Sequence, residues 1–280
     1  MGAAHHPAPP GAVGVLLLLA GVAVAYAVAV RRERRRGRRW GRGRTAAFLG
    51  GVGLLAVAAA PPVAAFAHGD LRGHMAQHLL VGMLAPLGLV LGAPVTLALR
   101  RLPVPSARRL ARALRTPPVR VLSHPATAAL LNVGGMAALY ATPLYAAMQA
   151  SPALHVLVHV HFLAAGYLFA WSVLAGPDPA PHPAPMRTQV GVLLVAAGAH
   201  AVLAKLMYGR LWPRGVADAA EVQAAAQVMY YGGDLAEVLL AVALFYGWYR
   251  RGGAGTAASG RPRSGRPARR ALAVAPGRGG

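Results

Sequence analysis

Two pairs of histidines spaced four apart, His74 with His78 and His155 with His159, are the residues in this chain best equipped for chemistry. On a helix, positions i and i+4 lie about 40° apart in azimuth and about 6 Å apart along the axis, so both rings of a pair face one way. Neutral imidazole suits Cu(II), Zn(II) and haem iron, and a nearby methionine adds a donor for Cu(I). Two such pairs entering from the same side at similar depth can converge on a single ion. Cysteine is absent, which removes disulfides, thiolate metal sites and thiol catalysis and leaves His, Met and carboxylates as ligands.

Other ionisable groups stand in apolar surroundings, where an unpaired charge costs on the order of several kcal/mol and marks a functional candidate. These are His200, together with Asp234 and Glu237, three residues apart on one helical face. The predicted metal ligands are therefore His74, His78, His155, His159 and His200, with Asp234, Glu237 and Met75 as secondary candidates. Asp234 and Glu237 also have a plainer reading, neutralisation of Lys205. His161 is turned about 200° from His159 and faces elsewhere. His68 and Asp70 read as loop residues, an entry point or solvated groups. Met83, Met207 and Met229 read as packing residues, and His5 and His6 sit on the N-terminal end.

The elements that must position these groups are apolar helices. Of 280 residues, 56% are hydrophobic and 13% charged, against about a quarter charged in a soluble domain, so the chain belongs in a lipid bilayer. A net charge of +22 would point a soluble protein toward nucleic acid. Here the arginines sit in blocks between apolar segments, which is how membrane orientation is encoded, and no nucleic acid partner is expected. The pattern predicts an all-α polytopic bundle of seven transmembrane helices at about residues 11–30, 45–67, 75–99, 125–145, 154–174, 189–207 and 227–248. The first ten residues hold no Lys or Arg and an Arg block follows the first segment, so it reads as a span rather than a signal peptide.

Nine arginines fall between residues 31 and 44 and seven between 100 and 120. Alternating seven spans puts 25 of the 29 basic residues on one side, predicting the N-terminus outside and the C-terminus inside. The histidine pairs then share the outer side. Residues 1–251 form the transmembrane domain, and 252–280, rich in Arg, Gly and Pro, are expected to be a disordered cytoplasmic tail.

His74-Met75-Ala76-Gln77-His78-Leu79-Leu80, followed by Ala85-Pro86 and by Leu91-Gly92-Ala93-Pro94-Val95-Thr96-Leu97-Ala98-Leu99-Arg100, resembles the signature of the CtaG family. These are seven-helix bacterial membrane proteins named as cytochrome c oxidase assembly factors. Pro143-Leu144-Tyr145, Pro152-Ala153-Leu154, His155-Val156-Leu157-Val158-His159 and Gly176-Pro177-Asp178-Pro179 extend the resemblance, which runs from about Pro61 to Arg251. The last helix departs from it: Ala225-Ala226-Gln227 and Tyr230-Tyr231 stand where the family often has Asp-Gln before Gly-Gly and Trp.

The resemblance implies a role in maturing a haem-copper oxidase at its copper-bearing parts, in the bacterial plasma membrane, with oxidase subunits as partners and copper as the ion. The residues on their own leave two alternatives open. One is a zinc-dependent membrane hydrolase with Asp234 or Glu237 as base. The other is a b-type cytochrome with axial histidines from the third and fifth helices.

Overall fold

The computed structural model describes residues 10–259 except 175, 177 and 179–181. His5, His6 and residues 260–280 of the expected tail lie outside the described residues. Among the described residues there is no strand. The chain divides into two compact units, Met1–Gly247 and Trp248–Gly280, and the bundle below belongs to the first.

In chain order the helices are α1 (Pro10–Arg35), α2 (Arg42–Ala59), α3 (Pro61–Gly69), α4 (Leu71–Leu91), α5 (Pro94–Arg101), α6 (Val104–Ala113), α7 (Pro117–Leu122), α8 (Pro125–Ala141), α9 (Leu144–Ala150), α10 (Pro152–Leu174), α11 (Met186–Arg210) and α12 (Ala219–Ser259). α12 continues through 252–259, the start of the expected tail. Five of these are long and apolar enough to cross a membrane, namely most of α1 and α12 together with α4, α10 and α11. Counting each bent pair, α2 with α3 and α8 with α9, as one span brings the number to seven. These fall on the seven predicted segments.

The departures from the predicted spans occur at prolines. Proline disfavours helical backbone in the residue before it and has no N–H to give the preceding turn. Ala60, before Pro61, is extended, and α2 and α3 meet at 56°. Thr142, before Pro143, is extended as well, and α8 and α9 meet at 80°. The third span, predicted to reach residue 99, stops at Leu91: Ala93 adopts the left-handed conformation (φ 54°) and Pro94 starts a separate helix.

Within α4, Leu80–Leu84 is a π-helical turn just ahead of Pro86. A proline there leaves the Gly82 carbonyl without its usual donor, and π turns are frequent at functional sites. α10 crosses α4 at this point. A Cβ on Gly166 would run into the Gly82 carbonyl oxygen and lie 3.1 Å from Pro86 Cγ. Close backbone approach through small residues is how helices pack where lipid supplies no hydrophobic drive. It brings the histidine-bearing faces of α4 and α10 together.

Side-chain contacts define two ends of the bundle. At the arginine end, Glu33 is fully buried, with Arg101 Nη1 at 3.5 Å and Arg38 Nη1 at 3.7 Å. Asp178, from the loop after α10, caps α5: its carboxylate accepts from Val95 N and Thr96 N, each at 2.6 Å, and from the Thr96 hydroxyl. The Asp178 carbonyl accepts from Trp171 Nε1 at 2.6 Å. At the histidine end, Glu221 at the start of α12 accepts from the Leu71 amide at 2.6 Å. This satisfies one of the free donors that every helix N-terminus leaves. Between the ends the core is apolar, while Leu17, Leu130 and Val195 stand exposed on faces suited to lipid.

Candidate functional site

Asp70 caps α4 by accepting from Arg72 N at 2.7 Å. Hydrogen bonds from the Arg72 guanidinium hold its carboxyl below the usual carboxylate range. The rigid start this gives α4 aims His74 and His78 into the bundle, where both are buried. His155 and His159 sit on the facing side of α10 and are half-buried.

The four rings, with His68 of α3, form a ladder from the surface inward. His68 stacks on His155 with ring centroids 4.9 Å apart, and His155 stacks on His159 at 4.4 Å. His159 meets His74 edge-on at 6.2 Å. His74 in turn faces Tyr145 at 5.0 Å and Tyr140 at 6.1 Å, and Tyr140 faces His78 at 6.2 Å. Phe162 closes the far side of His78 at 4.5 Å.

The hydrogen bonding of these rings is uneven. His159 Nδ1 lies 2.9 Å from the His155 carbonyl and its Nε2 lies 3.1 Å from Gln77 Oε1. Gln77 is held in that orientation by donating its amide N–H to the Ala58 carbonyl at 2.8 Å. Both ring nitrogens thus face acceptors, and a neutral imidazole has one proton to offer. When that proton is on Nδ1 and bound to the backbone carbonyl, Nε2 presents its lone pair, the arrangement typical of a metal-ligating histidine. His78 Nε2 lies 3.0 Å from Met136 Sδ. Both nitrogens of His74, both of His200 and Nδ1 of His78 are buried without a hydrogen-bond partner, as is the Tyr140 hydroxyl. Buried polar atoms are normally paired, so orphans gathered in one region call for a ligand, water or ion.

His200 is fully buried on α11 and approaches Glu237 Oε1 through Nδ1 at 3.4 Å. A Cβ on Gly233 of α12 would collide with the His200 ring, so glycine at that position makes the room the ring occupies. Glu237 also borders a small cavity that Gly82, Asn132 and Gly166 line. Asp234 is half-buried three residues earlier.

Lys205 is not the partner of these acids. It extends over the Tyr230 ring at 5.5 Å and makes no ion pair among the described residues. Five residues separate it from His200, about 140° around α11. Its exposed side chain reaches the Tyr230 ring of α12, about one turn from the Gly233–His200 contact on the same helix. Met75 is buried in the apolar cluster with Leu139 and Met207. His161 bonds to the Leu131 carbonyl at 3.1 Å, away from the ladder as its position implies.

Among the described residues no three of His, Cys, Asp and Glu are grouped closely enough to hold a metal as they stand. The imidazoles are strung out over two turns of helix. Sequence reasoning did not reach Gln77 or Met136, and it placed His68 in a loop rather than on the ladder. Gln77 lies inside the His74–His78 motif, and its place between the two histidines is the signal that was there to read.

A polytopic helical membrane protein with a buried imidazole-rich region at one end is the class this architecture defines. A model of the cytochrome c oxidase caa3 assembly factor family (Caa3_CtaG) matches residues 24–251, and the chain belongs to that family. Among curated relatives, Uncharacterized protein Mb0105 of Mycobacterium bovis is 38% identical over 198 residues, covering 68% of this chain and 29% of its own length. Uncharacterized protein ML1998 of Mycobacterium leprae is 34% identical over 185 residues, covering 64% of this chain and 28% of its own length. The chain therefore spans less than a third of the length of these relatives. No solved structure matches it significantly.

Proposed function

We propose that this protein is a plasma-membrane assembly factor for a haem-copper cytochrome c oxidase, and that it holds copper for the oxidase at its histidine end, which faces outward. Family membership supports the assembly role. The copper role rests on one observation, the buried imidazole nitrogens without a hydrogen bond, both of His74 and Nδ1 of His78, beside the half-buried His155 and His159. The donor set fits the ion: imidazole with thioether and no thiolate suits copper in either oxidation state. His74, His78, His155 and His159 would hold it, with His200 close by, and bound copper would be cargo to pass to an oxidase subunit.

On this reading the protein's own groups orient and shield rather than react. The carbonyl of His155 sets the tautomer and orientation of His159, and Phe162 and Tyr140 keep water from His78. Metal analysis of the purified protein after loading with copper, and with zinc in parallel, tests this. Copper at about one equivalent, lost when both histidine pairs are replaced by alanine, is the expected result. Protein that retains no copper, in a host whose oxidase is fully active without it, would remove the proposal.

A further inference from the structure

The ladder changes chemical character with depth. Its outer rungs, His68, His155 and His159, offer nitrogen only, and their immediate polar neighbours are oxygen atoms of Gln77 and the backbone. Its inner rungs differ. His78 has a methionine sulfur, Met136 Sδ on α8, against its Nε2 at 3.0 Å. Met136 is 1% exposed and His78 is 3% exposed. No oxygen donor is paired with either nitrogen of His78, and His74, one turn above, has both nitrogens free of partners.

Buried sulfur and imidazole, both neutral donors, select for a soft ion of low charge. Thioether prefers Cu(I) over Cu(II) and zinc. The cost of burying an ion rises steeply with its charge, so neutral donors at this depth favour a monovalent ion over a divalent one. We propose that in its cuprous state the ion is held at the inner end of this histidine set, by His78 and His74 with Met136 as a further ligand, and that Met136 is the residue that makes the site selective. The inference rests on the copper reading above and deepens it.

The geometry is within reach of a bound state. Metal–nitrogen and metal–sulfur bonds of about 2.0 and 2.3 Å would require the nitrogen and sulfur to separate by up to about an ångström from their present contact. Methionine, unbranched with three rotatable bonds, gives that movement readily. Against the Met136 sulfur, which can only accept, His78 Nε2 carries the ring proton; moving that proton to Nδ1 frees the Nε2 lone pair, and the ion enters without a net release of protons.

The test uses the full chain, purified in lipid nanodiscs under anaerobic conditions, with reduced copper set in competition against a coloured cuprous chelator. Met136→Leu is a volume-conserving change that cores tolerate. It should weaken Cu(I) binding by about tenfold or more and leave Zn(II) binding, carried by the outer imidazoles, within about twofold. X-ray absorption of the wild-type cuprous protein should show a sulfur neighbour at about 2.3 Å, absent from M136L. If M136L binds Cu(I) like the wild type, or the wild-type spectrum shows nitrogen neighbours alone, the proposal is overturned while the copper reading survives on imidazole. Wild-type protein that takes up copper in neither oxidation state overturns both. If M136L does not accumulate, the wild-type spectrum decides alone.

Discussion

At the scale of single residues, the ladder separates histidines that look alike in the sequence. His74 and His78 have nitrogens with no protein partner, whereas His161 spends its Nε2 on the Leu131 carbonyl. H74A or H78A is therefore expected to lower copper affinity by at least about tenfold in equilibrium dialysis, and H161A to leave it unchanged. Gln77 binds no ion in this scheme, and its Oε1 faces the same His159 Nε2 that a metal would take. Q77A leaves the His155 carbonyl on Nδ1 in place and should keep copper affinity within about tenfold of wild type. It should also leave the buried Ala58 carbonyl unpaired at a cost of about 1–3 kcal/mol, readable as a lower midpoint of thermal unfolding. The spacing of the histidine pairs made the histidine-bearing faces of α4 and α10 legible from sequence. Met136 was not legible, because it sits 58 residues from His78 on another helix and nothing local marks it.

At the scale of elements, two features hold the frame. Gly166 packs its Cα against the Gly82 carbonyl, so G166A forces α4 and α10 apart. Overpacking of this kind costs about 1–3 kcal/mol, and thermal unfolding in detergent should show the loss together with weaker metal binding. The second feature is the Asp178 carboxylate on the N-terminus of α5. D178A removes hydrogen bonds to Val95 and Thr96, and a charged hydrogen bond contributes about 1.5–3 kcal/mol. Its effect should appear in stability while copper binding at the opposite end stays intact. A drop in copper affinity equal to that of H78A would show that the two ends are coupled. The seven apolar segments were readable from length and hydropathy alone. Their breaks were less so: Pro94 read as a proline inside a span, yet it opens a new helix because Ala93 turns left-handed before it.

For the molecule as a whole, the positive-inside rule predicts an orientation that the absence of cysteine makes easy to check. A single cysteine introduced as A113C, in the arginine-rich segment, should react with a membrane-impermeant thiol reagent only in inverted vesicles. One introduced as A150C, beside the histidine end, should react in intact cells. The reverse pattern would turn the ladder toward the cytoplasm and remove its access to an outward-facing oxidase site. The Lys205 pairing shows where sequence reasoning stops: charge balance proposed an acid partner, whereas the ammonium lies over the Tyr230 ring of α12.

The crossing at Gly82 and Gly166 also bears on how the protein tolerates its solvent. Side chains yield under compression, but backbone resting on backbone does not, so the gap between the two histidine faces has a hard stop. A thicker or thinner bilayer asks its proteins to tilt or kink. The proline elbows at Ala60–Pro61 and Thr142–Pro143 provide joints that can take up that strain. The spacing between imidazoles is thereby insulated from lateral pressure, and copper affinity should be the same in short-chain and long-chain lipid.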